Sequence, residues 1–165
     1  GKDVSLERGP KGKPVLDESR HGDQLHFSLA KSGRRILIGI SGSGEVGVDL
    51  ELEARKPRNA KDLSTRFFTC TEATAICELE NGARDSAFMR VWACKEAVAK
   101  ASGHGIANRF CHFSVEAPAS RPPAVVEDQD LALEGWQLAL LIPENGYIAA
   151  VAVRQPALAV EAFRL

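Results

Sequence analysis

No apolar run in this 165-residue chain approaches the roughly 20 residues needed to span a bilayer, so no membrane span is expected. The start, Gly1-Lys2-Asp3-Val4, leads into no apolar stretch and does not read as a secretory signal. Positive charge is not in excess. The 21 Lys and Arg against 22 Asp and Glu leave a formal −1, which argues against a dedicated nucleic-acid binder. Cys70, Cys77, Cys94 and Cys111 contain no Cys-x-x-Cys pair, and His21, His26, His104 and His112 form no short-spaced cluster, so zinc is not expected. Unpatterned cysteines also fit a reducing, cytoplasmic setting better than a disulfide-stapled scaffold. What remains is the composition of a soluble globular protein, 44% hydrophobic and 26% charged. A chain of this length buries roughly two thirds of its unfolded surface.

The charge is unevenly placed: +3 over residues 1–35, −3 over 36–80, +3 over 81–110 and −4 over 111–165. Two readings stand side by side, ordinary surface mixing or a site that holds an anion through a metal and basic residues together. Residues 1–23, punctuated by Gly9-Pro10 and Gly12-Lys13-Pro14, read as extended loop. Strands are predicted over 25–29, 36–40 and 46–51, separated by Ser32-Gly33 and Ser41-Gly42-Ser43-Gly44, which makes a meander. Asn59 can cap a short helix ending near Phe68. Thr69-Cys70-Thr71-Glu72 has capping-box spacing, and a longer helix is predicted over 84–102, ended by Gly103. Strands are expected again over 110–116, 125–127, 136–142 and 147–153, with a further one over 158–163. The class is α+β, with meandering antiparallel sheets around a long helix. Residues 25–40 and 136–153 echo each other as hairpins, so a duplicated fold is one reading.

Asp49 and Glu51 sit two apart on a predicted strand and share one face, while Val48 and Leu50 point the other way. Two like charges on one face suit either a solvated strand end or a hard divalent cation such as Mg²⁺, which prefers oxygen ligands. On the long helix Phe88, Val91, Trp92, Lys95, Val98 and Ala99 recur at helical spacing, so Lys95 interrupts an apolar stripe. Glu96 and Lys100 are four apart. They are either a surface ion pair worth about 0.3–0.5 kcal/mol, or a third oxygen ligand with a phosphate-reaching ammonium.

Gly47-Val48-Asp49-Leu50-Glu51, Phe68-Thr69-Cys70-Thr71-Glu72 and the block from Trp92 through Lys95-Glu96-Ala97 and Lys100 to Gly103 together resemble the 4′-phosphopantetheinyl transferases. Gly12-Lys13-Pro14, His26-Phe27-Ser28-Leu29 and Gly146-Tyr147-Ile148-Ala149-Ala150-Val151-Ala152 extend the likeness, especially to the larger, surfactin-synthetase-activating branch. The resemblance implies Mg²⁺-dependent transfer of phosphopantetheine from coenzyme A to a serine of an acyl or peptidyl carrier protein, releasing adenosine 3′,5′-bisphosphate. It implies that Asp49, Glu51 and Glu96 hold the metal and that Lys100 steadies or protonates the leaving phosphate. Lys95 adds positive field nearby. Glu96 is the first candidate to take the serine proton and Glu72 the second, although a capping box alone also explains Glu72. Where this branch commonly reads Ser-His-Ser, the chain has Ala30-Lys31-Ser32. Lys31 is therefore expected at the 3′-phosphate of coenzyme A, beside Ser32, with Lys13 assisting.

By the same resemblance, residues 1–42 are the end of an incomplete first pseudo-repeat and 43–165 a second one carrying the metal site. An exposed apolar face is expected there, favouring self-association or packing against further polypeptide. An acidic carrier is expected to meet Arg34, Arg35 and Lys56. Two other functions stay open: a non-catalytic module that binds carrier or coenzyme A, and another Mg²⁺-dependent pyrophosphate enzyme.

Overall fold

A computed structural model describes residues 3–9, 13–21, 25–55, 57–103, 110–128, 135–154 and 159–163. The site depends on three strands and one helix. Strands β5 (Val46–Leu52), β9 (Tyr147–Arg154) and β8 (Trp136–Leu141) form an antiparallel sheet in the order β5-β9-β8. The register sets Gly47 opposite Ala152, Asp49 opposite Ala150 and Glu51 opposite Ile148. Strict alternation divides β9 between two cores. Ala149, Val151 and Val153 join Val46, Val48 and Leu50 on one face, while Ile148, Ala150 and Ala152 face the other.

Helix α4 (Asn81–Ala101) covers that second face. It is buried on nearly all sides from Ala93 to Ala99, as a helix at the centre of a fold must be. Gly47 is where it crosses β5. A Cβ at Gly47 would overlap the Ala97 carbonyl and the Ala101 amide, so only glycine admits this approach. Helices α2 (Ala60–Phe67) and α3 (Cys70–Cys77) pack beside α4. The rings of Phe68 and Phe88 lie 5.1 Å apart, and Trp92 is 5.6 Å from Phe88 and 5.4 Å from Phe110. The predicted caps are found: Asn59 accepts from the Asp62 amide, and Thr69 and Glu72 form the reciprocal capping box.

On the opposite face lies the hairpin of β3 (His26–Ser32) and β4 (Arg35–Ser41), turned at Gly33 with φ +56°. Ser28, Ala30 and Ser32 point inward. The Val48 amide donates to Ser28 Oγ and the Leu52 amide to Ser32 Oγ, both at 3.0 Å. The serines thereby satisfy donors on the edge of β5 that no strand pairs. The outward row is apolar: Leu29, Ile36, Ile38 and Ile40 are 49–69% exposed.

Several boundaries differ from expectation. Residues 1–23 were expected as loop, yet β1 (Leu6–Arg8) pairs with β2 (Pro14–Leu16), and a short helix α1 (Glu18–His21) follows. The long helix begins three residues before Arg84, because the Arg84 guanidinium bonds the carbonyls of Cys77 and Leu79 and the Asn81 side chain, bracing the elbow between α3 and α4. Phe110–His112 is a 3-10 turn, and only Phe113–Glu116 (β6) is strand, paired with β7 (Ala124–Asp128). Residues 159–163 form no strand. Among the described residues no helix is long and apolar enough to cross a membrane.

Candidate active site

Strand β5 and helix α4 bring four of the expected residues together. Asp49 and Glu51 project toward the helix because Gly47 shares their face, and the close crossing at Gly47 sets Asp49 beside the later turns of α4. Asp49 is 5% exposed, and its Oδ1 accepts from Lys100 Nζ at 2.7 Å. Its other oxygen, Oδ2, is buried with no hydrogen-bond partner. Glu96, one turn before Lys100 on the same helix face, is also buried. Burial first, then the Asp49 charge, pushes the Glu96 carboxyl up to about 7, with Lys100 opposing and Glu51 adding to the rise. The Glu51 carboxyl is raised to about 7 by burial and then by Asp49, against Lys100, Trp92 and Arg55. Burial likewise raises Asp49, more than Lys100 lowers it. Three carboxylates thus repel one another around the single ammonium of Lys100.

The donor set suits a hard divalent cation: all oxygen, all carboxylate, one of them an orphan. The oxygens are not already gathered, however. Among the described residues no three Asp, Glu, His or Cys side chains stand at metal-ligand spacing, and Asp49 is turned onto Lys100. Binding a cation here requires these side chains to draw in, with relief of their mutual repulsion as the driving force.

The structure sets Lys95 and Glu72 elsewhere. Lys95 was expected to face phosphate, yet it is fully buried, and its ammonium bonds Glu72 Oε2 at 2.9 Å, the Phe110 carbonyl at 2.6 Å and the Phe113 carbonyl. All three donors are engaged, and the Phe113 ring lies 4.2 Å away. Burial lowers its pKa while Glu72 resists that fall. Glu72 was a candidate to take the serine proton. Its Oε1 accepts from the Val115 amide at 2.7 Å and its Oε2 from the Thr69 amide at 2.9 Å, so both oxygens serve the capping box and β6. These two residues pin α4 to α3 and to the 3-10 turn.

Lys31 lies apart from the acidic cluster. It lies on the outer, exposed face of the hairpin, across from Ile36, with the hairpin between it and β5. Ser32, expected beside the nucleotide, is buried and bonds the Leu52 amide. Lys13 instead reaches the start of β5, with its ammonium 2.8 Å from Glu45 and 3.4 Å from the Val46 carbonyl. Lys31 is five residues along β3 from His26, which lies at the Lys13 end, so about 16 Å of strand separates the two expected phosphate contacts. Of the carrier-facing candidates, Arg34 is exposed, Arg35 already holds Glu144 through two bonds of 2.6 and 2.9 Å, and Lys56 lies outside the described residues.

Comparison with known proteins matches residues 45–152 to the 4′-phosphopantetheinyl transferase superfamily. The chain belongs to that superfamily. A putative 4′-phosphopantetheinyl transferase of Synechocystis sp., slr0495, is 43% identical over 98 residues, covering 59% of this chain and 39% of that protein. The 4′-phosphopantetheinyl transferase HetI of Nostoc sp. is 29% identical over 150 residues, 91% of this chain and 60% of that one. A holo-(acyl-carrier-protein) synthase of Bacillus anthracis, solved in complex with CoA (3′,5′-ADP), superposes with a TM-score of 0.54 at 19% identity, over 66% of this chain and 92% of that one. This last likeness supports the fold. The chain spans 39–60% of the length of these two transferases.

The superfamily segment contains Asp49, Glu51, Glu72, Lys95, Glu96 and Lys100, whereas Lys13, Lys31 and Ser32 precede it. Two features escaped the sequence reading. Trp92, taken there as core packing alone, also bears on Glu51, whose carboxyl it holds down against burial. Its position four residues before Glu96 was the available signal, because i and i+4 share a helix face. Glu45 sits just before β5 and belongs to no periodic pattern, so nothing in the sequence singled it out.

Proposed function

We propose that this superfamily member transfers 4′-phosphopantetheine from coenzyme A to a serine of an acyl or peptidyl carrier protein, releasing adenosine 3′,5′-bisphosphate. The observation that carries this reading is the coupled cluster of Asp49, Glu51, Glu96 and Lys100 inside the superfamily segment. Asp49, Glu51 and Glu96 would hold Mg²⁺, which when bound supplies positive charge to a pyrophosphate and is the usual partner of phosphoryl transfer.

The chain's own groups define the rest. Glu96, beside Asp49 and Lys100 in the cluster, is the first candidate to take the proton of an attacking serine hydroxyl. Lys100, already presenting its ammonium to the cluster, stabilises charge on the phosphate that leaves as the bond to the pantetheine-bearing phosphorus breaks. Lys95 and Glu72 act at a distance, by fixing α4 against α3. We read residues 1–42 as belonging to a first repeat and 43–165 as the repeat carrying this site. The exposed apolar row on the hairpin suits association, which light scattering over a concentration series tests. Four free cysteines suit a cytoplasmic setting.

The test is incubation with coenzyme A, Mg²⁺ and an apo carrier protein, read by intact mass. A phosphopantetheine adduct on the carrier is expected. No adduct at any Mg²⁺ concentration would refute the activity. Among the described residues the acidic oxygens are not gathered at metal-ligand spacing, with Asp49 turned onto Lys100, and this favours one second reading, binding of carrier or coenzyme A without turnover. Retained carrier binding in the absence of an adduct would establish that reading.

A further inference from the structure

Helix α4 carries two lysines that meet carboxylates, and they are held very differently. Lys95 is fully buried, with its ammonium on Glu72, the Phe110 carbonyl and the Phe113 carbonyl. An ammonium has three N–H donors, so none is left over. Lys100, in the last turn of the helix, has a side chain 25% exposed and one partner among the described residues, Asp49 Oδ1 at 2.7 Å. Its other donors are left to solvent. Its charge nevertheless bears on all three carboxyls of the cluster, holding down Asp49, Glu51 and Glu96 against burial, whereas Arg55 reaches Glu51 alone. The position is also exclusive. Asp49 Oδ2 is sealed from solvent and has no hydrogen-bond partner, so an ion arriving from outside meets Asp49 through Oδ1, or after the carboxylate has turned over. Oδ1 carries the ammonium, and turning the carboxylate over breaks the same bond.

We propose that Lys100 is an exchangeable internal cation: it neutralises the cluster in the metal-free chain and leaves Asp49 when a divalent ion takes up that carboxylate. The inference rests on the reading of Asp49, Glu51 and Glu96 as metal ligands. Three arguments support it. A divalent ion brings two charges to oxygens at about 2.1 Å, where the ammonium brings one charge at a longer distance, so the carboxylates favour the ion. Two cations sharing one carboxylate repel each other, so Lys100 and the ion exclude one another from Asp49. Asp49 is fixed on a central strand, while Lys100 has a flexible four-carbon stem, a single bond and access to solvent, so the lysine is the member that moves. The exchange also orders the site. Lys100 is spent on Asp49 until the cluster is loaded, and its charge becomes available to a phosphate only afterwards. Lys95, with every donor engaged, has no such freedom.

Calorimetric titration of the whole chain with Mg²⁺ alone, then with coenzyme A in saturating Mg²⁺, tests this. A pH of about 8.5 lies above the range in which Glu51 and Glu96 take up protons, so protons do not mask the ammonium. Lys100→Met should bind Mg²⁺ about tenfold more tightly than the wild-type chain, and coenzyme A about tenfold more weakly. Opposite signs in one variant are what an exchanging cation produces. Lys100→Arg keeps the charge and should stay within about twofold of the wild-type Mg²⁺ affinity. Thermal melts give a second readout: Lys100→Met should melt below the wild type in EDTA, and Mg²⁺ should raise its melting temperature by more than it raises the wild type's. If Lys100→Met binds Mg²⁺ no more tightly than the wild type, or if both affinities fall together, Lys100 is a structural member of the site and the proposal is overturned. If the wild-type chain binds no coenzyme A while Lys100→Met still tightens Mg²⁺, the donor reading fails and the exchange stands. If neither protein binds Mg²⁺, the metal-ligand reading fails and takes the exchange with it.

Discussion

Replacing Glu96 with glutamine probes the electrostatics of the cluster through stability alone, with no substrate present. In the fold, burial and the Asp49 charge hold the Glu96 carboxyl at about 7, against an ordinary 4.5. A carboxyl whose pKa is raised on folding is favoured by the fold in its protonated form. Its contribution is fully present below about pH 4.5 and is lost as pH rises through 7. The displacement is worth about 3 kcal/mol, shared with Glu51, which titrates over the same range and repels it. Glutamine keeps the shape and cannot ionise. In EDTA, urea unfolding should therefore show the two proteins nearly equal at about pH 4. At pH 8 the Glu96→Gln protein should be the more stable by about 2–3 kcal/mol. If the variant is less stable at pH 8, or if both proteins show the same pH profile, the carboxylates do not repel as argued and the site is an ordinary structural network.

Lys95→Met should strand the buried Glu72 carboxylate and cost about 3–5 kcal/mol, with Lys95→Met plus Glu72→Gln recovering much of it in thermal melts. Failure of the double variant to recover would mean that the pair is not coupled. Gly47→Ala forces a methyl into the Ala97 carbonyl and should lower stability by about 1–3 kcal/mol while abolishing transfer, since α4 must move away from Asp49; unchanged transfer would show that the crossing does not set the site. Asp49→Asn should abolish transfer with circular dichroism unchanged, and unfolding would instead assign Asp49 a structural role. Ser28→Ala should leave the Val48 amide unsatisfied and destabilise by about 1–3 kcal/mol without altering the acidic cluster.

The elements that carry chemistry were readable where one local rule governed them. Alternation put Val46, Val48 and Leu50 on one face of β5 and Gly47, Asp49 and Glu51 on the other, and Thr69 to Glu72 is a cap whose two bonds both form. Helical spacing placed Glu96 and Lys100 on one face, which the structure turns toward Asp49. What was not readable depends on partners distant in sequence. Lys95 was recognised as interrupting an apolar stripe, but only the Phe110 and Phe113 carbonyls, with Glu72, show that its charge is satisfied internally. The same bonds explain why residues 110–112 turn rather than extend. Lys31 and Lys13 looked like partners because the resemblance set Lys31 where that branch has a phosphate-touching histidine, with Lys13 of the Gly-Lys-Pro motif assisting. The parallel run of β3 beside β5, with Ser28 at Val48 and Ser32 at Leu52, separates them along the strand and between faces.

The central claim is that Asp49, Glu51 and Glu96 surrender their repulsion to one divalent cation. Calorimetry of Mg²⁺ binding at pH 7, repeated in two buffers of different ionisation enthalpy, measures the protons released as the ion binds. Release of a substantial fraction of a proton by the wild-type chain, with a smaller release by Glu96→Gln, is predicted, because carboxyls near 7 must ionise to become ligands. Binding without proton release, or no binding at all, would contradict it.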